Sequence, residues 1–292
     1  MIFYTAEVIK MEKYIDLHTH SIKSDGSMTP AEVVREAKKA GLAAIALSDH
    51  DSIDGVKEAM EEGKKTGVEV VPAIEFSVQS ETETHILAYY LDIDNPVLLK
   101  TLEECRQTRD FRNQETCRLL NELGFDVTME EAKALAPNGI IGRAHFARIL
   151  MDKGYTESVK EGFKLYLENG RPAYCGVQRL TAEETVELIK ECGGLSFVAH
   201  LHLTKKPDDE LREFLIHLKE HGLNGVEGYY TEYTPEMQEK YQAMAKELGL
   251  MISGGSDFHA AMKPHISIGT GLGNLRIPYS VLENIKLAKE RM

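Results

Sequence analysis

The chain has 292 residues, 42% of them hydrophobic and 28% charged, with a formal net charge of −13. This is globular composition, long enough for a single α/β barrel with an insertion, and it excludes disorder and collagen-like or coiled-coil repeats. The acidity argues against duplex nucleic acid, which is held by many Lys and Arg contacts to phosphate, but it is compatible with a small phosphorylated ligand whose charge bound cations offset.

Residues 1–10 carry Glu7 and are followed by Glu12 and Lys13, with no long apolar core and no small-residue cleavage pattern, so no signal peptide is expected. Tyr14 to Leu17 reads as a strand. Thr29-Pro30-Ala31-Glu32 supplies an N-cap, a Pro at the first helical position and a capping Glu for a helix that runs to Gly41. Ala43 to Leu47 is the next buried strand, Asp54 to Thr66 a helix, and Val68 to Ile74 a third apolar strand that ends at Glu75. Val78-Gln79 and His85 to Leu91 suggest a pairing across the polar turn Ser80 to Thr84. From Asn95 to Cys175 helical patterns replace the strand signal, at Leu98 to Leu123, Met129 to Ala136 and Gly142 to Lys153.

Thr181 with Glu184 opens another capped helix, and Leu195 to Ala199, Gly225 to Tyr229 and Met251 to Ser253 read as strands between helical segments. Such alternation predicts parallel strands with crossover helices. The expected organisation is a barrel whose first part is 1–94 and second part 177–292, interrupted at 95–176 by a helical cap over the barrel mouth. Cys105, Cys117, Cys175 and Cys192 form no Cys-x-x-Cys pair and read as reduced thiols. With no apolar run of about 18 residues to cross a membrane, the expectation is a soluble cytoplasmic protein.

The chemistry concentrates in Asp16-Leu17-His18-Thr19-His20, followed by Asp25-Gly26. Strand alternation points His18 and His20 to one side, where two imidazoles can chelate a divalent ion. Asp49-His50-Asp51, Glu75, His85, His200 and Asp257-Phe258-His259 each follow an apolar run, and Asp257 and His259 repeat the i, i+2 spacing. In parallel α/β barrels the active site lies at the carboxyl ends of the strands, so these donors are expected at one mouth. A lone His is usually a hydrogen-bonded core residue, and His217, His221 and His265 are read that way. Taken together, so many buried carboxylates and imidazoles are too costly without cations, and a mixed imidazole and carboxylate set suits Mn, Fe or Zn better than Mg or Ca.

From Asp16 to His259 these motifs, in this order, resemble the polymerase and histidinol phosphatase (PHP) domain phosphoesterases. The resemblance implies a distorted TIM-like (β/α)7 barrel with two or three divalent ions. It implies that His18, His20, Glu75 and Asp257 hold the first, Glu75, His85 and His200 the second, and Asp25, His50 and His259 the third. Gly142-Arg143-Ala144-His145 in the insertion is similar to the subgroup acting on nucleoside monophosphates, 3′,5′-bisphosphates or short RNA ends, with Arg143 and His145 binding phosphate. Asp51, His202 or a coordinated water would then protonate the leaving group. Two positions depart from the pattern: Leu201 follows His200 where the family has Pro, and Ala144 replaces the Pro of Arg-Pro-His. The alternatives are a histidinol phosphatase or other small-molecule phosphatase, and a non-catalytic metal-stabilised binding module.

Overall fold

A computed structural model describes residues 12–136, 140–177 and 179–292. Residues 1–10, where no leader is expected, lie outside that range. Eight strands form one sheet: β1 (Tyr14–Thr19), β2 (Ala44–Leu47), β3 (Glu69–Ser77), β4 (His85–Tyr89), β5 (Leu195–Val198), β6 (Gly225–Tyr230), β7 (Met251–Gly255) and β8 (Ile277–Pro278), in the order β7-β6-β5-β4-β3-β2-β1-β8. The helices of the barrel are α1 (Pro30–Lys39) and α2 (Val56–Thr66), then α7 (Ala182–Glu191), α8 (Asp208–His221), α9 (Pro235–Glu247) and α10 (Ser280–Lys289). Between them come α3 (Pro96–Glu122), α4 (Met129–Leu135), α5 (Arg143–Asp152) and α6 (Val159–Gly162). The capping boxes read from the sequence form as expected, Thr29 with Glu32 on α1 and Thr181 with Glu184 on α7.

The α/β barrel expectation holds, with two strands inverted, β4 and the short β8. β1, β2 and β3 are parallel, as are β5, β6 and β7, but β4 runs antiparallel to both of its neighbours. The link from β3 to β4 is a short hairpin, closed by Val78 N–H donating to Thr84 O, and seven residues are too few for a crossover helix. His85 therefore does not follow an apolar run as the sequence suggested; it opens β4. Because β4 is reversed, its first residue reaches the mouth where the parallel strands deliver their last, and His85 pairs in register with Ser77.

Alternate residues of the strands fill the barrel interior, among them Ile15, Leu17, Ala44, Ala46, Val71, Ala73, Leu87, Tyr89 and Phe197. Val281, Leu282 and Ile285 of α10 join this cluster and plug the floor, where Lys286 pairs with Glu69 at the start of β3. The opposite strand faces pack outward: Ile45 and Leu47 against α1 and α2, and Ile74, Ile86, Val198 and Val226 against the layer that includes α7, α8 and α9. Helices α3 to α6 bury a separate apolar cluster that includes Leu120, Phe146, Leu150 and Leu167. No helix among the described residues is long and apolar enough to cross a membrane, and the four cysteines are free thiols.

The barrel closes at its mouth by contact between the first and seventh strands. Asp257 N–H donates to His18 O at 2.9 Å and His20 N–H to Phe258 O at 2.9 Å. At the floor the two-residue β8 pairs with Tyr14 and Ile15 instead, which is the one strand the seven-strand expectation lacks. The approach at the mouth is so close that a Cβ on Gly255 would lie 2.2 Å from the Cβ of His18. Overpacking against backbone cannot be relieved by a rotamer change, so Gly255→Ala should cost about 3 kcal/mol. Denaturant unfolding checks this, and an unshifted midpoint would contradict the closure.

Candidate metal centre

Glu75, the seventh residue of β3, carries a carboxylate only 1% exposed, and five imidazoles surround it. Its Oε2 lies 3.1 Å from His18 Nε2, 3.3 Å from His20 Nε2 and 3.1 Å from His50 Nδ1, and its Oε1 lies 2.9 Å from His85 Nδ1 and 3.0 Å from His200 Nε2. Asp257 Oδ1 adds contacts of 3.6 and 3.2 Å to His18 and His20 Nε2. Asp25 Oδ1 is 3.1 Å from His259 Nε2, and its Oδ2 is 3.9 Å from His50 Nε2. All nine donors anticipated from the sequence thus meet in one pocket. Eight of them, joined by Glu83, fall into overlapping sets: His20, Asp25, His50 and His259; His18, His20 and Glu75; His50, Glu75 and His85; and Glu83, His85 and His200.

The chemistry of the set fits divalent cations. His18 Nε2, His20 Nε2, His50 Nδ1, Glu75 Oε2 and Asp25 Oδ1 are buried and make no hydrogen bond, although the three nitrogens lie 3.1 to 3.3 Å from Glu75 Oε2 and Asp25 Oδ1 lies 3.1 Å from His259 Nε2. Buried polar atoms are nearly always paired, so lone pairs converging on shared space without hydrogen-bond geometry point to coordination. The charge states agree. Burial opposes ionisation of Glu75, yet His50, His18 and His85 outweigh it and hold the carboxyl well below its usual range. Burial likewise opposes the ionisation of Asp257, and His259 and Lys263 overcome it. Burial, helped by the His20 and His85 charges, drives His50 down to about 3 against the pull of Glu75 and Asp25, leaving a neutral imidazole with a lone pair to donate. Burial also pulls His20 down, but Asp257 and Glu75 push it up to about 9, so a cation entering there displaces a proton.

Partners behind the donors aim them. His18 Nδ1 lies 2.9 Å from Glu227 Oε1, and Glu227 Oε2 accepts the His200 backbone N–H at 2.7 Å, so one fully buried carboxylate orients two donors. His259 Nδ1–H donates to Asp257 O at 2.8 Å, which turns Nε2 toward Asp25. Asp16 and Asp49, the acidic residues of the first two motifs, are taken up elsewhere. Asp16 accepts from Ser256 N–H, Ser256 Oγ–H and Gly269 N–H, and Asp49 from Ser21 N–H, Ser21 Oγ–H and Ser24 Oγ–H. Asp51, His200 and Asp257 sit at φ of 47°, 24° and 56°, a left-handed conformation costing about 1–3 kcal/mol each that the surrounding bonds must sustain.

A cleft of about 960 Å³ opens above the donors, lined by Asp25, His50 and His85 on the barrel side and by Arg109, Arg112, Arg143, His145, Tyr174 and Arg179 around the insertion. Arg143 donates to Leu167 O at 3.1 Å and stacks over Tyr174, with the guanidinium 5.4 Å from the ring centre. His145 Nδ1 accepts the Gly142 N–H at 3.0 Å, closing the first turn of α5. The Asp51 carboxylate accepts from Ser77 N–H at 3.0 Å and pairs with Arg109. His202 Nε2 stands 3.3 Å from Glu232, with its ring against Tyr230 and Tyr233.

Sequence reasoning missed Glu227, Glu83, Lys263 and the arginines on α3. Glu227 left a signal, a lone acid inside the apolar strand Gly225–Tyr230, and Arg109 and Arg112 share a helix face at i, i+3. Glu83 sits in a polar turn that reads like any other. Because outer partners set ligand orientation, Glu227→Gln should weaken metal retention about 10- to 100-fold with the fold intact. Metal content after dialysis against a graded chelator series measures it, and full retention would remove Glu227 from the centre.

Comparison with known proteins agrees with this geometry. The Escherichia coli strain K12 5′-3′ exoribonuclease Rnm is 31% identical over 260 residues, covering 88% of each chain. The 3′,5′-nucleoside bisphosphate phosphatase of Chromobacterium violaceum is 32% identical over 248 residues, or 84% of this chain and 87% of that one. The crystal structure of a Bifidobacterium adolescentis protein assigned as a metal-dependent phosphoesterase superposes with a TM-score of 0.81 at 27% identity, covering 95% of this chain and 96% of that one. The PHP domain profile matches residues 16–254, a span that runs from the Asp16 buttress into β7, and the chain belongs to the PHP domain family.

Proposed function

We propose that this chain is a metal-dependent phosphoesterase that hydrolyses a phosphomonoester of a small nucleotide, of the 5′-monophosphate or 3′,5′-bisphosphate kind. The observation that carries the proposal is the Glu75 cluster, five imidazoles on one buried carboxylate, opening directly into a cleft lined with guanidiniums. Two or three ions of Mn, Fe or Zn suit its nitrogen and oxygen donors. His18, His20, Glu75 and Asp257 would hold one, Glu75, His85 and His200 a second, and Asp25, His50 and His259 a third. When bound, such ions acidify water and offset charge on phosphoryl oxygens.

The chain's own residues supply the rest. Arg143 presents a planar fork of donors matched to phosphate, and His145 stands beside it at the start of α5. Residues 95–176 act as a cap that bears both over the mouth. Of the two candidate acids, Asp51 already accepts on both oxygens, from Ser77 and Arg109. His202 is the other candidate, with Glu232 steadying its Nε2 and its buried Nδ1 without a hydrogen-bond partner. Free cysteines suit a reducing compartment, and we assign the enzyme to the cytoplasm. A second reading, trimming of short RNA ends, is favoured by the run of guanidiniums in the cleft and by the activity named for the E. coli relative.

Chelation should abolish hydrolysis of 5′-AMP and adenosine 3′,5′-bisphosphate, readdition of Mn should restore it, and His20→Ala should remain inactive while folded by circular dichroism. Turnover surviving in metal-stripped protein would refute the proposal, and faster hydrolysis of histidinol phosphate would reassign the substrate. His202→Gln should lower kcat on nucleotides about 100-fold yet barely affect p-nitrophenyl phosphate, whose leaving group needs no proton. Equal losses on both substrates would exclude His202 as the acid.

A further inference from the structure

Four guanidiniums meet where the insertion joins the barrel mouth. Arg109 and Arg112 stand about one turn apart on α3, Arg143 opens α5, and Arg179 lies just before α7, and all four line the cleft above the donors. The chain carries a net charge of −13, yet among the described residues only Arg109 of these four has a carboxylate partner, Asp51.

Arg112 is the anomaly. It is 4% exposed, and its guanidinium reaches only neutral acceptors, Asn113 Oδ1 at 3.0 Å and Ile141 O at 3.4 Å. Burial, then the charges of Arg109, Arg179 and Arg143, push it down to about 9. Burial lowers Arg179 as well. A buried cation surrounded by other cations costs several kcal/mol unless anions balance it, and the one carboxylate lining this part of the cleft, Asp51, is shared among three guanidiniums and already paired with Arg109. Arg112 and Arg179 also bound a recess at the side of the cleft, together with Cys105, Thr108 and Asp51. Asp51 ties this recess to the centre: it follows the donor His50, its N–H bonds Glu75 O at 2.9 Å, and its carboxylate holds Arg109. The recess therefore adjoins the reacting position without overlapping the donors.

We propose that Arg112 and Arg179, backed by Arg109 on Asp51, bind a second phosphate of the substrate, one that is not hydrolysed. The inference rests on the phosphoesterase reading and deepens it: the preferred substrate carries two phosphates a nucleoside apart. Either the other ester of a nucleoside bisphosphate or the next phosphodiester of an RNA end provides that group. Two fixed forks, one buried, suit a dianionic or diester oxygen cluster better than a base or sugar.

The test compares kcat/KM for adenosine 3′,5′-bisphosphate with that for 3′-AMP and 5′-AMP in the wild type, Arg112→Gln and Arg179→Gln. Each variant should lower the bisphosphate-to-monophosphate ratio about tenfold or more, mainly through KM, because a charge-assisted contact to the second phosphate is lost. Arg179→Gln, at a half-buried position outside any helix, keeps the test decisive where Arg112→Gln fails to fold. A 5′-phosphorylated adenylate dinucleotide separates the sources: a matching loss assigns the recess to a diester, and loss on the bisphosphate alone assigns it to a terminal phosphate. A ratio that does not move in Arg179→Gln overturns the proposal. The rise in unfolding midpoint with each ligand reports binding without turnover. A wild type that hydrolyses nothing, yet is stabilised by the bisphosphate more than by AMP and loses this in Arg179→Gln, would sink the hydrolase reading and leave the recess standing.

Discussion

The carboxylate of Glu75 is the point on which the architecture turns. An ionised carboxylate excluded from water costs several kcal/mol unless positive charge surrounds it. Here five imidazoles line it, His50 neutral and His18, His20 and His200 raised toward the protonated form, drawn from β1, β4 and the segments after β1, β2 and β5. Each of those segments is held at the mouth by bonds of its own, and removing the carboxylate would leave several imidazoles without a common partner. The centre is thus also part of what keeps the mouth ordered.

Bringing so many donors to one place distorts the barrel in specific ways. The hairpin between β3 and β4 reverses one strand, which delivers His85 from a strand's beginning. Gly255 lets β7 press against the backbone of His18, so that donors near the two ends of the chain share an ion-sized space. Asp51, His200 and Asp257 take left-handed backbone conformations that point their side chains away from ordinary strand geometry. These departures lie at the mouth, in keeping with strain stored where chemistry happens.

Much of this was legible in the sequence. Capping boxes and the apolar runs placed nearly every element, and the His18 and His20 alternation pointed to one side as read. Residues that act through tertiary pairing were not legible. The reversed sense of β4 depends on a short polar turn that hydrophobic pattern cannot distinguish from a loop between parallel strands. Glu227 looked like an odd residue in a core strand because its partners, His18 and the His200 backbone, are distant in sequence. The overall acidity also hid a local patch of opposite sign, since Arg109, Arg112, Arg143 and Arg179 gather only after α3 and α5 pack at the mouth.

The contact between the first and seventh strands also fixes when the centre can exist. Asp16 and Ser256, which brace the two sides of that seam, are 240 residues apart in sequence. Loop-closure entropy makes such distant pairings among the last to form. A growing chain emerging from the ribosome therefore carries His18 and His20 through nearly its whole synthesis without Asp257 or His259 beside them. The donor set that needs His259, and the contacts of Asp257 to His18 and His20, are therefore completed only when nearly the whole chain has been made.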